Sequence, residues 1–167
     1  LLDTQWQFMR ALERRGLLDR PIEFLPNDEE ITDRLSDGEG LARPEYAVTF
    51  AYSKLSLYGD LLPTDVPDDP YLVGDLARYF PELIRERFSD HIARHRLRRE
   101  IVATYVTNSL VNRVGATFVH HMEELTAAGP ADIARAYVVA RDAFQLRPIW
   151  RAIETLDNKI PAKLQIE

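Results

Sequence analysis

The chain of 167 residues has no cysteine, which excludes a disulfide framework and any thiolate metal site and fits a reducing, intracellular setting. Lysine is scarce. Only Lys54, Lys159 and Lys163 occur, each in a polar or terminal context, so no lysine stands where burial would lower its pKa for base chemistry. No apolar run approaches the roughly 20 residues that span a bilayer, and no signal peptide opens the chain; a soluble protein without membrane contact is expected. Glycine-rich loops are also missing. In GEGLAR, residues 38–43, Arg43 replaces the third glycine of a G-x-G-x-x-G loop and no strand precedes it. A dinucleotide loop needs that strand and the helix N-terminus behind the glycines, so the segment reads as a surface turn. There is no G-x-S-x-G, and the many carboxylates fall in no spacing that singles out an acid–base pair. No catalytic, cofactor-binding or metal-binding residue is assigned.

What the chain does contain is enough apolar material, 46% of residues, for one well-buried core, with 29% charged residues that exclude a disordered tract. A single helical domain over 1–167 is expected. The first residue is Leu1 and the last, Glu167, follows soon after Pro161 opens a further helix, so both ends are read as cut from a longer chain. Charge is unevenly placed about a net of −6. Residues 19–46 hold nine acids against three arginines, while residues 85–99 hold six arginines against two acids. Such a layout suggests one protein surface facing another, not a polyanion binder, whose footprint is a basic domain.

The punctuation is that of helices. Leu2, Trp6, Met9 and Leu12 follow a helical period that Gly16 closes. Asn27 followed by Asp28, Glu29 and Glu30 places a capping side chain before acids in a first turn, and Gly38 should stop that helix. Pro44 fits the first turn of the next, where YAVTFAY alternates like a strand but Ala51, Leu55, Tyr58 and Leu62 continue at helical spacing. The run PTDVPDDP, 63–70, is a turn in which Asp68 or Asp69 caps a helix that Pro81 interrupts. Residues 90–113 read as the longest helix, ended by Gly115, with further helices over 116–126, 130–144 and 148–157. The expected fold is all-α, a bundle of seven or eight helices joined by short Pro and Gly connections.

Three constellations are weighed on that frame. His91 and His95 are spaced i, i+4 and could share a zinc, but a third ligand would have to come from His120, His121, Glu123 or Glu124 and the surrounding arginines repel a cation; capping or solvent-exposed histidines are the plainer reading. The arginines of HIARHRLRRE, 91–100, fall at about 200° (Arg94), 40° (Arg96), 240° (Arg98) and 340° (Arg99) when the wheel is counted from Ile92. They ring the helix, so no single groove or backbone track of a nucleic acid could engage them together; their partners are expected among Glu82, Glu86, Asp90 and Glu100 or the acidic stretch before Glu45. Residues 101–112 carry no charge, and Leu97, Ile101 and Tyr105 mark a core face on which Asn108 and Asn112 stand. Either these amides fix helix register near Gly115 or they are partly exposed at an inter-domain surface, and both readings stand. Arg94, Arg98, Arg99, Asn108, Asn112 and Arg113 are the structural or interface candidates.

The segments RPEYAVTFAYSKLSLYGDLL (43–62), DDPYLVGDLARYFPELIRERF (68–88), HRLRREIVATYVTNSLVNRVGATFVHHMEEL (95–125) and WRAIETLDNKIP (150–161) resemble the C-terminal region of the large bacterial NAD-specific glutamate dehydrogenases. The resemblance implies a helical piece of a very large, cytoplasmic, homo-oligomeric oxidoreductase of amino-acid catabolism, one that deaminates L-glutamate to 2-oxoglutarate and ammonia with hydride transfer to NAD. In that family the catalytic lysine and aspartate and the dinucleotide fold lie upstream. The resemblance therefore implies that NAD is the parent enzyme's cofactor, that this fragment binds none and is inactive alone, and that its partner is the catalytic domain of the same chain, in packing, assembly or regulation. A stand-alone helical interaction module is the alternative. No nucleic-acid partner is expected.

Overall fold

A computed structural model describes residues 1–157 and 159–161, and these form ten α-helices and no strand. The fold is all-α. In chain order the helices are α1 (Leu2–Arg14), α2 (Asp28–Asp37), α3 (Arg43–Leu61), α4 (Val73–Arg78), α5 (Glu82–Arg87), α6 (Ser89–Ala93), α7 (Arg98–Val114), α8 (Phe118–Thr126), α9 (Pro130–Ala143) and α10 (Leu146–Glu154). Seven have nine residues or more, and the other three are single or double turns. Two compact units are distinguished, Leu1–Ala134 and a second beginning at Arg135.

Helix ends in the first unit follow their capping chemistry. Asn27 Oδ1 accepts the Glu29 and Glu30 N–H groups at 3.0 and 2.9 Å, and Glu30 returns a carboxylate to the Asn27 N–H at 2.8 Å. This reciprocal box satisfies donors that the first turn of α2 would otherwise leave orphaned. Gly38, left-handed at φ 72°, ends the helix. Ala42 offers α3 no side-chain acceptor, so Glu45 alone caps it, taking the Ala42 N–H at 2.6 Å. The same carboxylate receives Arg34 of α2 in a fork, at 2.6 and 2.9 Å. Arg34 holds the Glu45 carboxyl below its ordinary range against the opposing effect of burial, with the Ala42 N–H assisting.

One apolar cluster joins α1, α2 and the intervening loop through Phe8, Met9, Leu12, Leu18, Leu25 and Ile31. Arg20, almost buried, pins that loop by donating to Glu13 at 2.8 Å and to the Pro26 carbonyl at 3.2 Å, and it pairs with Asp28 at 2.8 Å. Asp28 also takes the Trp6 indole N–H at 2.7 Å. A second cluster centres on α7, which packs against α3 and α4 and buries Val102, Ala103, Val106, Leu110 and Val111.

Several expectations are corrected. The stretch 90–113 is not one helix: α6 stops at Ala93, residues 94–97 form a turn, and α7 begins at Arg98. The helix expected after the 63–70 turn is α4, which starts only at Val73, after two 3-10 turns at Val66–Asp68 and Pro70–Leu72, and ends before Pro81. Asp69 accepts the Tyr71 N–H at 2.9 Å. Helix α3 is confirmed, but Ala51 and Leu55 face solvent and the hidden stripe is Thr49, Ser53, Ser56, Leu57 and Leu61. The buried hydroxyls are answered locally, Thr49 Oγ1 donating to the Glu45 carbonyl at 3.0 Å and Ser53 Oγ to that of Phe50 at 2.7 Å. Such back-bonding lets small polar residues occupy a packed face.

In the second unit, Arg141 Nε donates to Asp142 at 3.0 Å, and Arg147 Nε lies 3.5 Å from the same carboxylate. Helix α10 leaves Ile149 and Ile153 exposed one turn apart, with Leu156 exposed just beyond it. No helix among the described residues is long and apolar enough to cross a membrane.

Candidate functional site

The break at residues 94–97 rearranges the arginine segment. Arg94 is exposed and turns back on its own helix, Nε reaching the Asp90 carbonyl at 3.2 Å. Arg98 and Arg99 converge instead on Asp68, Arg98 at 2.9 Å and Arg99 through Nη1. Arg99 Nη2 also donates to the Leu62 and Thr64 carbonyls at 2.8 and 2.9 Å. The partner acid comes from the 3-10 turn after α3, not from α5, from α6 or from the stretch before Glu45. Sequence distance conceals it, because Asp68, like Asp69, reads locally as a helix cap.

The core face of α7 is likewise the reverse of the expected one. Leu97 lies outside the helix and is exposed, Ile101 and Tyr105 are half-buried, and the valines on the opposite side carry the packing. Asn108 is accordingly half-buried, while Asn112 and Arg113 are exposed. The buried polar atom on the core face is Thr107 Oγ1, which has no hydrogen-bond partner among the described residues. His91 and His95 do not share a helix. His95 lies in the turn, where Nδ1 accepts the Leu97 N–H at 3.1 Å, and no group of three His, Asp or Glu among the described residues could hold a metal ion. In GEGLAR, Gly38 serves as the C-cap of α2.

The titratable groups that do converge on a cavity are others. A cleft of about 300 Å³ opens between α1, α3 and α8, with Leu12, Leu57, Val111 and Ala116 among its apolar lining. Arg15 from the C-cap of α1 forks onto Asp60 of α3, its Nη1 at 3.1 Å from Oδ2, and the same Nη1 donates to Ser56 at 2.8 Å. Across from them α8 presents His120 and Glu123, one turn apart on the same face.

Burial pushes the Glu123 carboxyl above its ordinary range, and the Asp60 charge pushes the same way while Arg15 partly opposes it. Burial pushes His120 down, with Arg14 and His121 adding to that and Glu124 resisting it. A neutral His120 makes its 3.6 Å approach to Glu124 a weak contact instead of an ion pair. Its Nε2 is buried and lacks a hydrogen-bond partner among the described residues, and the ring packs 5.7 Å from that of Phe8.

These shifts have opposite consequences for stability. A carboxyl with a raised folded pKa binds its proton more tightly in the folded state, so Glu123 costs stability as pH rises from the ordinary glutamate value through the raised one. His120, held neutral, costs stability as pH falls from the ordinary histidine value through its lowered one. Glu123→Gln is therefore expected to raise the melting temperature at pH 7.5 by a few degrees, with no gain at pH 4. Differential scanning calorimetry at the two pH values checks this, and a loss at pH 7.5 would count against it.

Neither His120 nor Glu123 stood out in the sequence beyond a weak metal reading. Ser56, Asp60 and Arg15 carried no signal at all, since the cleft is assembled from three helices far apart in the chain.

Residues 38–167 match the family model described as glutamate dehydrogenase, C-terminal. The NAD-specific glutamate dehydrogenase of Halomonas elongata is 48% identical over 159 residues, covering 95% of this chain and 10% of that protein. Its counterpart in Pseudomonas aeruginosa is 49% identical over 160 residues, covering 96% of this chain and 10% of its own length. In Mycobacterium tuberculosis the corresponding enzyme is 40% identical over 154 residues, or 92% of this chain and 9% of that one. The chain thus spans about a tenth of the length of these relatives. With a family model covering most of the sequence and relatives this similar, the chain belongs to the C-terminal region family of the NAD-specific glutamate dehydrogenases.

Proposed function

We propose that this chain is the non-catalytic helical C-terminal part of an NAD-dependent glutamate dehydrogenase, in which the whole protein oxidatively deaminates L-glutamate to 2-oxoglutarate and ammonia and passes a hydride to NAD. The observation that carries this reading is the coverage: nearly all of this chain aligns with relatives of that name, yet it accounts for about a tenth of their length. The remaining nine-tenths then hold NAD and the reacting atoms. Helix α10 supports a packing role, because Ile149 and Ile153 form an exposed apolar stripe of the kind that covers a neighbouring surface. The clasp of Arg98 and Arg99 on Asp68 is structural in the same reading, holding the α6–α7 turn in a shape that the catalytic part of the chain or another subunit can dock against.

The 167-residue chain by itself is expected to give a strongly helical circular dichroism spectrum, no NADH from L-glutamate, and no heat on titration with NAD. The full-length protein is expected to produce NADH. Saturable calorimetric binding of NAD to the short chain would overturn the reading.

A further inference from the structure

A second cleft, of about 720 Å³, lies where the start of α1, the end of α2 and the loop into α3 meet, all within the unit Leu1–Ala134. We infer that it binds a monocarboxylate with an apolar body about the size of octanoate, the carboxylate being held by Arg43 and the Gln5 amide. The GEGLAR segment, which fails as a dinucleotide loop, lines this cleft with every residue except Ala42.

Gln5 is a buried amide with nothing to bond. It stands among Leu2, Met9 and Leu12 on the inward face of α1 and is only 4% exposed. Its side chain makes no hydrogen bond among the described residues, yet its polar atoms are not among those sealed from solvent. Because the residue lines the cleft, the cleft is the space onto which the amide opens. A buried amide without a partner is destabilising, and a ligand that supplies one recovers that loss.

Arg43 is a cation with no acid. Arg34 forks onto Glu45, whereas Arg43 makes no side-chain hydrogen bond or ion pair among the described residues. It opens the 19-residue helix α3, where unmatched main-chain N–H groups add positive potential. Glu45 caps that end, but Arg34 matches its charge. Glu39 lines the same cleft from an exposed position, and its charge falls on Arg34. Its effect on a bound anion is unfavourable.

Leu2, Leu35, Leu41 and Tyr46 give the cleft an apolar lining, and its volume falls within the range of small-molecule sites. A guanidinium and an amide NH₂ both donate, which suits a carboxylate. Arg43 would repel an ammonium, and an alcohol would leave its charge unanswered. Inorganic phosphate has no apolar body to set against the leucines.

Isothermal titration calorimetry of the full-length protein at pH 7.5 with sodium octanoate tests this, with sodium acetate and n-octylammonium chloride as comparison ligands. Saturable octanoate binding is expected, about tenfold weaker in Arg43→Gln, as the loss of one charge-assisted hydrogen bond implies. It should be several-fold weaker in Gln5→Leu and tighter in Glu39→Gln, with no comparable binding of either comparison ligand. Gln5→Leu keeps the side-chain size and removes an amide that has no partner, so its circular dichroism should be unchanged.

Absence of saturable binding would overturn the inference, including the case in which another part of the full-length protein fills the cleft. Unchanged affinity in Arg43→Gln or Gln5→Leu, weaker binding in Glu39→Gln, or n-octylammonium binding as tightly as octanoate would each overturn it too. The readout is binding alone, so it is independent of whether the full-length protein oxidises glutamate.

Discussion

Replacing Leu110 with alanine is expected to lower the stability of the unit Leu1–Ala134 by about 3 kcal/mol, within the range found for buried leucines. Leu110 is completely buried near the middle of α7. That helix packs against both α3 and α4, so the void left by the missing side chain cannot be closed by moving α7 toward one neighbour without leaving the other. The lost transfer energy and the residual cavity then add. Urea unfolding followed by circular dichroism measures the effect. Val114→Ala, on the exposed end of the same helix, should change stability by less than about 0.5 kcal/mol. A Leu110 loss as small as that would mean that α7 is not the centre of this unit.

Arg99→Ala is expected to cost about 1.5 kcal/mol, a figure held down because the side chain is a third exposed. One guanidinium serves the Leu62 carbonyl, the Thr64 carbonyl and the Asp68 carboxylate. Truncation deprives two main-chain acceptors of their donor together and leaves Asp68 to Arg98 alone. Lysine should recover little, since a single ammonium cannot reproduce the fork. Arg94→Ala, which loses one 3.2 Å bond to its own helix, should be nearly silent. Comparing the three variants by thermal unfolding separates a clasp from a merely charged surface, and an Arg94 loss equal to that of Arg99 would refute the distinction.

The all-α class and most helix boundaries were legible because they depend on local chemistry. Asn27 with Glu30, Gly38, Pro44, Gly115 and Pro130 act on their own turns, and each stands where the spacing predicts. Faces were less legible. On α7 every position from Ile101 to Asn112 is uncharged, so the wheel could be anchored on either side, and Leu97 anchored it wrongly because the helix begins one residue later. On α3 three of the five packed positions are serines and a threonine, which hydropathy cannot recognise as interior.

The break at 94–97 had no proline or glycine to announce it. The cleft was the least legible feature. Its polar groups sit on α1, α3 and α8, and only tertiary packing brings Arg15, Asp60 and Glu123 to one cavity. The family resemblance succeeded where these readings were blind, because it was spread over several long segments.

The shortness of α4, α5 and α6 has a consequence for motion. At five or six residues each, they lie well below the roughly 12 residues at which an isolated helix becomes marginal in water. They hold their shape only while docked on one another and on α7. The ion pairs of Arg98 and Arg99 with Asp68 fasten the chain on either side of them. Residues 70–97 are thus a natural unit of local unfolding, a segment that opens as a whole when the fastening lets go while α1, α3 and α7 stay folded.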